Sequence, residues 1–181
     1  VLDNVHRISE VNIGGSIVSS PSIHDKKIIF GCNDTFVYCL DLDGNKIWSF
    51  KTNDIIFSSP TCYKDYVVFG SKDGYFYCLS MNGELKWKFL TQERNACTPL
   101  IVDNVVYFRS EDGIFHALSL EDGKELWKFY CPAGMCFMSP SAVNDSVIFG
   151  NFSGYLFCLS KDGELLWKLK TGGNIVQTPL I

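Results

Sequence analysis

The sequence predicts an all-β protein, a β-propeller of four-stranded antiparallel blades, and three observations predict it. Trp48, Trp87, Trp127 and Trp167 recur about every 40 residues, and Pro21, Pro60, Pro99, Pro140 and Pro179 keep the same beat. A fixed period of that length marks a solenoid or a propeller. Between the periodic positions lie turn pairs, among them Asp43-Gly44, Asp73-Gly74, Asn82-Gly83, Asp112-Gly113, Asp122-Gly123 and Asp162-Gly163. Flanked by alternating apolar runs, such pairs are the strongest short-range hairpin signal because both residues tolerate positive φ. No window sustains a helical apolar period over three turns.

Aligned on Trp, the chain divides into four complete blades at about 16–51, 55–90, 95–130 and 135–170, each read as four strands. The first strands are Val18 to Ile23, Phe57 to Cys62, Cys97 to Val102 and Phe137 to Val143. The second are β-branched and aromatic, as in Val67-Val68-Phe69, and the third alternate, as in Tyr75 to Leu79. The fourth carry the Trp, as in Glu84 to Phe89. Four strands joined by short turns make a meander, and a meander repeated radially is a propeller blade. Cys39, Cys78, Ala117 and Cys158 share one position in the third strand, which therefore calls for a small buried side chain.

The ends extend the pattern. Val5 to Asn12 resembles the end of a fourth strand without its Trp, and Ile175 to Ile181 reads as a lone first strand. First and fourth strands of a meander are not neighbours, so these partial strands cannot pair with each other. The four blades are therefore expected to be part of a larger ring, completed by protein beyond Ile181 or by another molecule.

A net charge of −4 and a pI near 5.3 argue against a dedicated nucleic-acid binder, which needs a basic footprint. No apolar run approaches the roughly 18 residues of a membrane-spanning helix. The eight cysteines include no C-x-x-C pair and no His at ligand spacing, which disfavours a disulfide framework or a zinc site. Such use of thiols leads us to expect a reducing, cytoplasmic setting.

Blade three departs most from its siblings. Arg109 stands where the others have Gly31, Gly70 and Gly150, and His116 where they have Tyr or Phe. Arg94 lies in the turn leading into the blade, on the same expected rim as Arg109. A local ion pair with Glu93, Glu111 or Asp112 is the plain reading. A planar guanidinium fork for an anion or a protein partner is the functional one, with Arg94, Arg109 and His116 as its candidates. The repeated Asp34, Asp73 and Asp112 suit Asx turns better than a metal. His6 and His24 read as isolated surface residues. Ser19, Ser20, Ser58, Ser59, Thr98, Ser139, Gln177 and Thr178 fall on the channel-lining strands. No His or acid recurs beside them, which argues against a serine nucleophile.

The repeat SSP–VVFGSKDGYFYCLS–NGELKWKF resembles the pyrroloquinoline-quinone-type, or quinoprotein-like, propeller repeat over nearly the whole chain. That resemblance implies a ring of seven or eight blades, with Trp48, Trp87, Trp127 and Trp167 packed between neighbouring blades. Quinone dehydrogenases of this fold place their cofactor beside a disulfide of adjacent cysteines and a calcium site. This sequence has no Cys-Cys pair and no unusual acidic cluster. Neither pyrroloquinoline quinone nor calcium is expected unless missing blades supply the site. The expectation is a non-catalytic platform that binds a protein partner or the remaining blades of its own chain. A quinone dehydrogenase propeller and the C-terminal propeller of an adenylate-forming, β-alanine-activating-like enzyme are the alternatives, and an outer-membrane assembly scaffold of the same fold is a further class.

Overall fold

The computed structural model describes residues 10–91, 93–131 and 138–179. Within them lie four antiparallel sheets, each made of four consecutive strands in simple meander order. Blade one holds β1 (Ser22–His24), β2 (Lys27–Gly31), β3 (Phe36–Asp41) and β4 (Lys46–Lys51). Blade two holds β5 (Thr61–Tyr63), β6 (Tyr66–Gly70), β7 (Tyr75–Ser80) and β8 (Leu85–Leu90). Blade three holds β9 (Leu100–Val102), β10 (Val105–Arg109), β11 (Ile114–Ser119) and β12 (Glu125–Tyr130). Blade four holds β13 (Ser141–Val143), β14 (Ser146–Gly150), β15 (Tyr155–Ser160) and β16 (Leu165–Lys170). Among the described residues no helix is long and apolar enough to cross a membrane.

The innermost strands are shorter than the sequence suggests. Each starts only after the repeated Pro, so the lead segments that end in that Pro are not ladder-paired within their blade. Their polar groups go elsewhere, because Pro supplies no N–H to a ladder. Ser20 N donates to Ser59 Oγ at 2.9 Å, Ser59 N to Thr98 Oγ1 at 3.1 Å, and Ser139 N to Thr178 Oγ1 at 3.1 Å. Each lead segment thus bonds to the next blade. Ile175 to Pro179 is likewise a lead segment and not a strand, bonded back to blade four through Asn151 and Ser139, while Leu180 and Ile181 lie outside the described residues. Of the expected N-terminal strand, Val5 to Ser9 also lies outside them, and Glu10 to Asn12 is not strand.

The hydrophobic core sits between the blades. One buried cluster joins Ile29, Val37 and Cys39 of blade one to Val67, Phe69 and Leu79 of blade two. A second joins Val68, Phe76 and Cys78 to Val106, Phe108 and Leu118, and a third joins Tyr107, Phe115 and Ala117 to Val147, Phe149 and Leu159. Successive side chains of a strand face opposite sides, so the inner strands of blades two and three feed two interfaces each. Full burial of one such side chain is worth about 1.5–3 kcal/mol. A blade is therefore stable only in the company of its neighbours.

Candidate functional site

Each blade interface is closed by the same lock. Trp48 Nε1 donates to the backbone oxygen of Met81 at 3.0 Å, Trp87 Nε1 to that of Leu120 at 2.7 Å, and Trp127 Nε1 to that of Lys161 at 2.7 Å. In every case the acceptor belongs to the turn between third and fourth strands of the following blade. The indole lies on the glycine of that turn. A Cβ on Gly83 would come within 2.8 Å of Trp48, one on Gly123 within 2.6 Å of Trp87, and one on Gly163 within 2.7 Å of Trp127. These glycines also have positive φ, at 84°, 70° and 88°. Behind the indole, within its own blade, stands the small residue of the third strand, since the register pairs Cys39 with Trp48, Cys78 with Trp87, Ala117 with Trp127 and Cys158 with Trp167. A large ring beside a small partner fills that side of the sheet. The small position legible in the sequence is thus the seat of the Trp.

Blade three carries the unusual side chains inside it. In three blades the glycine ending the second strand is packed by the next lead segment: a Cβ would meet Ile56 at 2.4 Å from Gly31, Asn95 at 2.9 Å from Gly70 and Ile175 at 2.5 Å from Gly150. Arg109 replaces that glycine and is only 2% exposed. Its Nε donates to Cys131 Sγ at 3.3 Å, and no ion pair joins it to Glu93, Glu111 or Asp112. Cys131 holds the place of Thr52, Thr91 and Thr171, whose hydroxyls bond to Thr35, Gly74 and Gly154 oxygens, and its thiol keeps the equivalent bond to Gly113 O at 3.1 Å. Arg94, by contrast, is exposed beside Lys72, Asp73 and Glu93 on a shallow cavity of about 250 Å³. The two arginines do not form one surface.

His116 is also buried. It stacks on Phe108 of its own blade at 5.0 Å and meets Phe89 of blade two edge-on at 5.3 Å. Its Nδ1–H donates to Glu125 Oε1 at 2.8 Å, and Ser110 Oγ lies 3.5 Å from Nε2. This row of hydroxyl, imidazole and carboxylate has the order of a nucleophile relay, but Ser110 is fully buried and gives its proton to Asp112 Oδ1. It serves packing. Burial pushes the His116 imidazole below the usual value near 6.5, outweighing the opposite pull of Glu125 and Asp112, with Lys128 adding to the depression.

Blades one and two show what the position ordinarily does. Tyr38 OH and Tyr77 OH donate to Asp34 Oδ2 and Asp73 Oδ2, both at 2.7 Å. In blade three the corresponding Asp112 Oδ2 is buried without a partner. His116→Tyr is therefore expected to raise stability by about 1 kcal/mol at pH 7 by satisfying that oxygen. A depressed folded-state pKa means the unfolded chain binds the proton more tightly, so the parent loses stability as pH falls below about 6.5. Urea melts of both proteins between pH 7.5 and 5 check this: the variant should lack that part of the acid loss, and parallel curves would refute the role of His116.

The acidic residues repeated in the sequence are committed to turns. Asp34, Asp73 and Asp112 accept Phe36 N at 3.1 Å, Tyr75 N at 3.0 Å and Ile114 N at 2.9 Å through Oδ1. Among the described residues no group of three His, Cys, Asp or Glu side chains is placed to hold a metal ion. Asp34 and Asp73 spend their carboxylates on backbone and phenol, and Asp112 spends Oδ1 on Ile114 N and the Ser110 hydroxyl, all turn-forming roles.

The outermost blades carry half-locks. Trp167 is 44% exposed where Trp87 is 8% exposed, because no turn lies on it. Leu42, the blade-one counterpart of Met81 and Leu120, is 57% exposed where Leu120 is 1% exposed. Leu165, Leu166 and Leu169 extend the apolar surface around Trp167. Sequence reasoning named all four Trp residues as interface residues but missed the turns that receive Trp48, Trp87 and Trp127, since a backbone oxygen carries no sequence signature.

Comparison with known proteins agrees with this architecture. A computationally designed protein, Ika8, superposes with a TM-score of 0.77 at 19% identity, over 87% of this chain and 50% of its own. BamB from Moraxella catarrhalis superposes with a TM-score of 0.59 at 19% identity, over 94% of this chain and 66% of its own. The chain thus spans about half to two thirds of the length of these structures, and the likeness establishes the propeller fold. No curated protein matches the sequence. The family described as outer membrane protein assembly factor BamB, of the PQQ_2 repeat type, matches residues 33–181. With that match covering most of its length, and with one Trp-and-glycine lock per internal interface, the chain belongs to the BamB-type family of pyrroloquinoline-quinone-like propeller repeats.

Proposed function

We propose that this chain is a non-catalytic propeller scaffold whose work is to hold a protein partner. The observation that carries this reading is the fate of the chemically capable side chains. Arg109, His116, Ser110 and the turn aspartates are consumed by packing and turn formation, whereas large apolar side chains stand exposed on the outermost blades. Arg94, exposed on the rim beside Lys72, is the polar contact of the candidate set that a partner could reach. The family description, an outer membrane protein assembly factor, supports a client that is itself a protein.

The test has two arms. Titration with pyrroloquinoline quinone and calcium, followed by absorbance and calorimetry, should show no saturable uptake; micromolar saturable binding would promote the dehydrogenase reading. Titration of a fluorescent, urea-unfolded outer-membrane β-barrel polypeptide into the folded chain, after dilution from denaturant, should show saturable binding. Its absence across the micromolar range would remove the scaffold reading.

A further inference from the structure

The outer edge of the propeller is furrowed where adjacent blades splay apart, and the three internal furrows are built from the same positions. One wall is the Phe two residues beyond the Trp of the leading blade, Phe50, Phe89 or Phe129. The floor is the third strand of the following blade, where Tyr77, His116 or Phe157 meets that Phe edge-on at 5.7, 5.3 and 5.8 Å. Two of the furrows hold a carboxylate. Between blades one and two the Tyr77 hydroxyl bonds to Asp73, and between blades two and three Glu125 bonds to His116 and pairs with Lys128 at 3.4 Å. Blade four has lost both devices. Ser153 stands in the place of Asp73, Phe157 in that of Tyr77 and Leu165 in that of Glu125. The furrow between blades three and four is accordingly an open cavity of about 240 Å³, lined by Phe129, Tyr130, Tyr155, Phe157, Leu165 and Lys168. Both of its walls belong to blades that this chain contains. Leu165 is 44% exposed and Leu85, its counterpart in blade two, is 47% exposed, so the opening is a property of the outer edge of every blade.

We infer that this cavity is an anchor site for one large apolar side chain of a partner polypeptide, with a carboxylate of the same segment held by Lys168. Its volume falls below the range of about 300–1,000 Å³ for small-molecule and cofactor sites, and suits the single buried anchor on which protein interfaces concentrate their affinity. Its charge selects the partner. Every outer strand carries lysine, Glu125 is their only acid, and no carboxylate lines the cavity. Lys168 is exposed at its mouth and makes no ion pair among the described residues. Lys170, on the same side of β16, lies over the Tyr155 ring at 4.3 Å and adds to the positive charge. Ammonium groups beside apolar walls favour an acidic segment over a basic one. Residues i and i+2 of an extended chain share one side. A segment with an aromatic or leucine side chain and a carboxylate two residues away therefore presents one to the cavity and the other to Lys168. The inference rests on the scaffold reading in taking the ligand to be a protein, and adds which kind of segment is held.

Fluorescence anisotropy of a labelled synthetic peptide, titrated with the folded chain, tests it. The peptide carries one Phe with a Glu two residues to either side, in a Gly-Ser background. The expected result is saturable binding that weakens about tenfold or more when the Phe is replaced by Ala, when the Glu residues are replaced by Lys, or when the protein carries Lys168→Glu. The Lys168→Glu protein should in turn prefer the peptide with Lys. Ser153→Asp combined with Phe157→Tyr rebuilds the pair that blade two already holds, and should weaken the Glu peptide by a similar factor with the fold intact. Lys86→Glu, on the outer strand of blade two, should leave binding unchanged. Absence of saturable binding, equal affinity for the three peptides, or a Lys168→Glu protein that binds as well as the Lys86→Glu control would overturn the proposal. The peptide contains no barrel sequence, so the two readings fail separately: an unfolded barrel polypeptide whose binding Lys168→Glu leaves unchanged would overturn the anchor site and leave the scaffold reading standing.

Discussion

Replacing Trp87 by alanine is expected to cost about 3–5 kcal/mol, the range for truncating a large buried aromatic. Trp87 is the most buried of the four indoles, packs in the core between blades two and three, and donates to Leu120 O. Truncation removes the ring from the glycine turn, strands the Leu120 oxygen and opens a cavity beside Cys78. Trp167→Ala is the matched control, because the same residue type at the same blade position lacks a following turn; its cost should be about 1 kcal/mol or less. Lys72→Ala, which loses a cation–π contact with Phe57 at 3.9 Å, should stay within about 1 kcal/mol. Urea denaturation midpoints of the three variants at low concentration decide the matter, and equal small shifts would remove the interface role of Trp87.

The second large effect comes from the other half of the same lock. Gly123→Ala combines a positive φ of 70° with a Cβ placed 2.6 Å from the Trp87 ring. An L-residue in the left-handed region costs about 1–2 kcal/mol, and overpacking a filled interface adds about 1–3 kcal/mol. The expected loss is about 2–4 kcal/mol. Gly173→Ala meets nothing within 4 Å and should be neutral or slightly stabilising through the unfolded chain. Thermal melts of the two variants distinguish a steric lock from a general intolerance of glycine replacement. Combining Gly123→Ala with Trp87→Ala should recover part of the loss, because the clash disappears with the ring.

The sequence exposes the period, the Trp beat and the Asp-Gly turns because each depends on local residue chemistry. Cys39, Cys78, Ala117 and Cys158 were legible as a small position for the same reason, and the register then explains their size by the Trp each faces. The length of the innermost strands was not legible. Val18 to Ile23 has strand-like composition, but only Ser22 and Ile23 join the ladder, while Ser20 N bonds to the next blade, and composition does not say which neighbour a backbone group chooses. Arg109 was placed on a rim because its glycine siblings end a strand near a turn. Its burial depends on how the following lead segment packs, which is a tertiary fact. His116 was visible as an exception among aromatic residues, yet Glu125 as its partner follows only from the β11–β12 register, with its bulge between Ala117 and Leu118.

Because each lock points from one blade to the next, the chain behaves as a row of coupled units whose stability is a sum of nearest-neighbour terms. Blades two and three are clasped on both sides, while blades one and four are clasped on one. Amide hydrogen exchange should therefore fall into a gradient, slowest in β6, β7, β10 and β11 and faster toward either end, with whole blades opening as cooperative units. Loss of one internal lock would divide the row at that point, leaving two shorter segments that melt separately. The same coupling makes assembly polar in time: a blade emerging from the ribosome has its Trp ready, but that Trp is secured only when the next glycine turn, some 35 residues later, has been made.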